Sequence, residues 1–131
     1  MVDDGEKNGI LIVEDEEDIV YFLKKILTKK GYNIIGTAKD GTEAVEKYKK
    51  LNPELVTLDI MMHPTDGRVA ARKILEFDPK ANIVVVSVLD KNELRDMSKM
   101  GVQNFISKPI DIDRFTNVVD AAMRDMKNAN N

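Results

Sequence analysis

The chain has no cysteine. Disulfides, thiolate nucleophiles and thiolate metal sites are therefore excluded, which fits a reducing cytoplasmic setting. Histidine occurs once, at His63, and a lone loop histidine reads as solvated rather than as a ligand or base. No apolar run is long enough to span a bilayer. The start, Met1-Val2-Asp3-Asp4-Gly5-Glu6-Lys7-Asn8, is acidic and polar and lacks the basic start and apolar run of a signal peptide. Basic charge is not in excess either. The net charge of −3 gives direct nucleic-acid binding no electrostatic support. The expectation is a cytoplasmic protein that contacts neither membrane nor nucleic acid.

What is present is a chain of 131 residues, 43% hydrophobic and 33% charged, the composition and length of one soluble domain with a core. Short β-rich runs occur at Ile10-Val13, Tyr32-Ala38, Glu54-Leu58, Asn82-Val86 and Val102-Ile106. Five helical stretches alternate with them. In the first, Ile19, Phe22, Leu23, Ile26 and Leu27 recur at helical spacing, and Gly31 can close it. The second opens with Asp40 and Glu43 and buries Ala44, Val45, Tyr48 and Leu51. The third runs from about Arg68 to Phe77. The fourth opens with Asp90 and Glu93, buries Leu94 and Met97 and stops at Gly101. The fifth starts near Asp111 and buries Phe115, Val118, Val119, Ala122 and Met126. Residues 1–8 are expected to be disordered or extended, residues 9–127 to form the domain, and residues 128–131 to be a frayed tail. Ile-Leu-Ile-Val and Ile-Val-Val-Val are continuous rather than alternating, so these strands are buried on both faces of a parallel sheet. Five βα units make a doubly wound α/β sandwich of three layers.

Ligands of such sheets sit at the carboxyl ends of the strands. With strand order 2-1-3-4-5, Glu14 and Asp15 after strand one, Asp59 after strand three, Ser87 after strand four and Lys108 after strand five meet on one rim. Three converging carboxylates repel each other and either take up protons or bind a cation. All-oxygen ligands with open positions suit Mg²⁺. A carboxylate nucleophile, a divalent ion, a lysine and a hydroxyl are what phosphoryl transfer needs.

These residues carry a resemblance. Ile10-Leu11-Ile12-Val13-Glu14-Asp15-Glu16, Leu58-Asp59-Ile60-Met61-Met62, Asp66-Gly67, Ser87 and Lys108-Pro109, each at a strand end and in this order, resemble the receiver domains of two-component response regulators, including stand-alone chemotaxis regulators. The resemblance runs from about Gly9 to Met126. It implies a flavodoxin-like (βα)5 fold and a phosphorylation switch. Asp59 would accept a phosphoryl group from a sensor histidine kinase or a histidine phosphotransfer protein. Glu14, Asp15, Asp59 and the backbone carbonyl of Met61 would hold Mg²⁺. Lys108 would pair with the phosphoryl group, Ser87 would move to bond it, and Phe105 would change rotamer. The face of helix four, strand five and helix five would meet a downstream protein, or a second copy on phosphorylation. The only catalysis implied is the domain's own phosphoryl acceptance and loss.

Five positions depart from the family's usual pattern. Glu14 stands where Asp is common. His63-Pro64 stands where Pro-Gly is usual, and proline cannot take the positive φ that glycine can. Val88 replaces a small residue and could narrow the approach to Asp59. Phe105 has no hydroxyl to hydrogen-bond in a switch. Three other functions compete. A phosphatase of the haloacid dehalogenase type needs a carboxylate where Met61 stands. A flavodoxin-like FMN carrier would find Glu14 to Asp18 repelling its phosphate. A binding-only pseudo-receiver usually lacks an acidic residue or the lysine, and all are here.

Overall fold

The structure, a computed structural model, describes residues 9–129. Strands β1 (Ile10–Val13), β2 (Ile34–Ala38), β3 (Leu55–Leu58), β4 (Ile83–Ser87) and β5 (Asn104–Ser107) alternate with helices α1 (Glu17–Lys29), α2 (Gly41–Leu51), α3 (Gly67–Phe77), α4 (Lys91–Met100) and α5 (Ile112–Ala129). The strands form one sheet in the order β2-β1-β3-β4-β5, and every pairing is parallel. This is the flavodoxin-like, doubly wound arrangement expected.

The continuous apolar strands are explained by the two cores they serve. Successive side chains point to opposite faces. Ile10 and Ile12 pack with Leu23 and Leu27 of α1 and Phe115 and Val119 of α5. Leu11 and Val13 pack with Tyr48 of α2, Ile74 of α3 and Met97 of α4. All four β1 side chains are buried. Helix ends are closed by the chain itself. Gly31, at φ +92°, lets its N–H donate to the Thr28 carbonyl at 2.9 Å while Tyr32 donates to Leu27 at 3.0 Å, a left-handed cap. The Asp40 side chain accepts from the Glu43 N–H at 2.9 Å. Asp90 and Glu93 form a full capping box, and Asp111 accepts from the Arg114 N–H at 3.0 Å.

Several boundaries differ from the expected ones because backbone donors are already used. β2 begins at Ile34, not Tyr32, since the Tyr32 N–H closes α1. β5 begins at Asn104, not Val102, since the Val102 N–H closes α4 on the Met97 carbonyl. β3 begins at Leu55 rather than Glu54, whose N–H donates to the Gly9 carbonyl ahead of the ladder. β4 is shifted by one residue, starting at Ile83 rather than Asn82 and ending at Ser87 rather than Val86, so Ser87 lies in the sheet. Phe22 and Leu94, expected on buried faces, are 36% and 37% exposed. α1 seats on Leu23 and Leu27, which leaves Phe22 to one side, and α4 has one buried side chain, Met97, among the described residues. In α5, Met123 is buried and Met126 only partly. α5 continues through Asn128 and Ala129, two residues into the expected tail. Residues 1–8 and the rest of that tail lie outside the described residues.

Candidate functional site

Each site residue stands at the end of a strand, and the backbone ladder continues past it. The Glu14 N–H donates to the Ala38 carbonyl at 2.9 Å, that of Asp59 to Val13 at 3.0 Å, and that of Lys108 to Ser87 at 3.0 Å. Glu14, Asp59 and Lys108 are thus fixed by the sheet although each lies one residue beyond its strand. α3 adds a second constraint. The Gly67 N–H donates to the Ile60 carbonyl at 2.8 Å, and a Cβ on Gly67 would lie 2.2 Å from the Asp59 carbonyl oxygen and 2.6 Å from the Ile60 Cα. Only glycine lets the helix start press this closely on the Asp59-Ile60 peptide. Asp66 accepts from the Arg68 N–H at 2.7 Å and so caps α3 at this point.

The side chains converge. Glu14 and Asp59 are 2% and 4% exposed, and Ser87 is fully buried. The Ser87 hydroxyl donates to Asp59 Oδ1 at 2.8 Å, and the Met61 N–H donates to the same oxygen at 3.2 Å. Lys108 Nζ lies 2.9 Å from Glu14 Oε1 and 3.6 Å from Asp59 Oδ2. The Glu16 N–H donates to Glu14 Oε2 at 3.2 Å. Asp15 is exposed, yet one oxygen from each of Glu14, Asp15 and Asp59 lies within 4.8 Å of the others. All five residues singled out for the rim are therefore brought together.

Burial pushes the Glu14 carboxyl up to about 7, and the charge of Asp59 adds to it; the hydrogen bond from Lys108 opposes both but does not overcome them. For Lys108, burial would lower the ammonium's pKa, but the hydrogen bond to Glu14 and the charges of Asp59 and Glu14 outweigh it and raise it. The site thus holds its lysine charged and still carries excess negative charge, a fit for an added cation.

Other expectations divide. The Lys108–Pro109 and His63–Pro64 bonds are both cis. His63 is exposed. Val88 is 58% and Met61 63% exposed, so both flank the mouth of the site in contact with solvent. Phe105 is half-buried against the core under α2, α3 and α4. Two features escaped the sequence. The Met61 N–H acts as a donor to Asp59; a backbone group leaves no signature in residue type. The steric need for Gly67 was hidden in the Asp66-Gly67 pair, which the resemblance marked without a reason.

The response regulator receiver domain family matches residues 10–120. Chemotaxis protein CheY of Treponema pallidum is 43% identical over 110 residues, 82% of this chain and 76% of that protein. Chemotaxis protein CheY of Bacillus subtilis is 36% identical over 115 residues, 87% of this chain and 96% of that one. Among solved structures, a CheX-CheY-BeF3-Mg complex from Borrelia burgdorferi aligns with a TM-score of 0.83 at 39% identity, covering 87% of each chain. A CheY-like receiver protein from Methanospirillum hungatei aligns at 0.88 over 95% of this chain and 99% of that one, but at 19% identity it speaks for the fold alone. With the family matching from β1 into α5, and with chemotaxis regulators among its relatives, the chain belongs to the response-regulator receiver domains of two-component signalling.

Proposed function

We propose that this protein is a phosphorylation switch in which Asp59 takes a phosphoryl group from a phosphohistidine donor, a sensor histidine kinase or a histidine phosphotransfer protein. The observation that carries this reading is the setting of one buried carboxylate. Asp59 has a hydroxyl and an N–H on Oδ1 and an ammonium 3.6 Å from Oδ2. Two hydrogen bonds hold Oδ1, so Oδ2 is the freer nucleophile. It would attack phosphorus while the P–N bond of the donor breaks, the electron pair returning to the imidazole and an acyl phosphate forming on Asp59. Lys108 would meet the charge that builds on the phosphoryl oxygens, and Ser87 would turn its hydroxyl from Asp59 to one of them.

Glu14, Asp15 and Asp59, with the Met61 carbonyl, would hold Mg²⁺. The fit rests on all-oxygen donors within 4.8 Å of each other and on negative charge that Lys108 does not neutralise. When bound, the ion would supply a dication that offsets the carboxylates and takes a phosphoryl oxygen. The protein would catalyse only the gain and loss of its own phosphoryl group. The signal would leave through α4, β5 and α5, with Phe105 as the moving side chain, towards a downstream protein or a second copy. No helix among the described residues is long and apolar enough to cross a membrane.

Intact-mass spectrometry after treatment with acetyl phosphate tests this. One added phosphoryl group is expected with Mg²⁺, and none with chelator or in Asp59→Ala. A binding-only pseudo-receiver would gain no mass under any condition. A phosphatase would instead release phosphate through many turnovers.

A further inference from the structure

An open groove of about 580 Å³ runs between α3 and α4. Its geometry follows from helical spacing. Arg68 and Arg72 lie one turn apart on α3, and Asp96, Lys99 and Met100 share one face of α4. Arg68 reaches across, its guanidinium 3.3 Å from Asp96 and 3.2 Å from Asp66. That ion pair spans the groove between the two helices. Val69 and Met100 are half-buried in the lining. Arg72 and Lys99 are exposed, and neither has a hydrogen bond or ion pair among the described residues.

A lone surface cation is ordinarily just solvated. Here two unpaired cations line the same groove as two half-buried apolar side chains, and Arg68 is shared between the carboxylates Asp66 and Asp96. This chain carries 23 acidic and 20 basic residues, whereas the groove is lined by three cations, Arg68, Arg72 and Lys99, against two carboxylates, Asp66 and Asp96, so its net positive charge runs against the overall balance. We propose that the α3–α4 groove docks an acidic peptide segment of a partner protein, which sets an apolar side chain on Val69 and Met100 and its carboxylates on Arg72 and Lys99. Neither β5 nor α5 contributes to its lining, and the groove needs no phosphorylation to exist. Through Asp66 and Gly67 it adjoins the backbone that holds Asp59.

The test uses the full chain and a fluorescein-labelled peptide alternating glutamate with leucine, followed by anisotropy and by amide shifts in NMR. Binding is expected to weaken with salt and to shift α3 and α4 amides. Arg72→Glu with Lys99→Glu should weaken it by about tenfold or more. Lys29→Glu on α1, on the opposite side of the sheet, should change it by less than about twofold. Circular dichroism checks that the variants fold, and Arg72→Gln with Lys99→Gln gives a milder pair. The proposal is overturned if the peptide does not bind, if its shifts map elsewhere, or if Lys29→Glu weakens it as much. It is equally overturned if polyglutamate or single-stranded DNA binds as tightly, since that would be unspecific attraction.

Discussion

Ser87 and Asp59, at the ends of neighbouring strands, are joined by a 2.8 Å hydrogen bond from the serine hydroxyl to Asp59 Oδ1, with both residues almost wholly buried. In Ser87→Ala the carboxylate keeps only the Met61 N–H on that oxygen. A hydrogen bond to a charged group contributes about 1.5–3 kcal/mol, so urea unfolding should show a loss near the lower end, because Lys108 remains. Ser87→Thr keeps the hydroxyl and should recover most of it. Acetyl phosphate should still label Ser87→Ala, but more slowly. An unchanged labelling rate would remove Ser87 from the transfer step.

Two glycines separate steric need from backbone need. Gly31 has φ +92° and nothing within 4 Å of an added Cβ, whereas the Gly67 Cβ would strike the backbone of Asp59 and Ile60. Gly31→Ala should cost about 1–2 kcal/mol, the price of a left-handed alanine. Gly67→Ala should cost about 3 kcal/mol or more, since backbone cannot step aside as a flexible side chain can. It should also impair phosphorylation. Thermal unfolding of both variants checks the order. Equal losses would mean that α3 can slide away from β3 freely.

Glu14 links stability to pH. Its carboxyl is raised from an ordinary 4.5 to about 7, so between those values the folded state holds a proton that the unfolded chain has lost. Stability must then fall as pH rises through this window. The contribution is fully present below about 4.5 and gone above about 7, and its upper bound is on the order of 3 kcal/mol. Unfolding of Glu14→Gln, followed from pH 5 to about 8, should lack that decline relative to the unchanged protein. Added Mg²⁺ should raise the melting temperature at the high end of the range, where Glu14 is ionised. Parallel pH curves for the two proteins would show that Glu14 does not titrate in this window.

Phe105 is only half-buried, on the side of β5 that faces α4. Full burial of a phenylalanine would make its replacement by alanine cost about 3–5 kcal/mol. Phe105→Ala should cost less, about 2 kcal/mol. In the unchanged protein, beryllofluoride with Mg²⁺ should shift the Phe105 ring signals and the amides of α4. Shifts limited to Glu14, Asp15, Asp59 and their neighbours would reject Phe105 as the route outward.

Local sequence was enough for the sheet, the helices and the site's members. Strand runs apolar on both faces demand cover on both sides, and Asp-x-x-Glu pairs and glycines mark helix ends by chemistry that acts within a few residues. A parallel sheet also puts every strand's carboxyl end on one rim, so Glu14, Asp15, Asp59, Ser87 and Lys108 could be gathered before any coordinates. Tertiary structure decided the rest. Phe22 and Leu94 have the spacing of core residues, yet exposure depends on how α1 and α4 seat, which the neighbouring strands determine. The starts of β2 and β5 turned on which N–H groups the helix caps had already used. The Arg68–Asp96 bridge and the raised pKa of Glu14 arise between residues far apart in the chain, and the Gly67 contact depends on how α3 packs against the end of β3. Distances of that kind, and the loss of water that raises a carboxyl's pKa, exist only once the chain has packed.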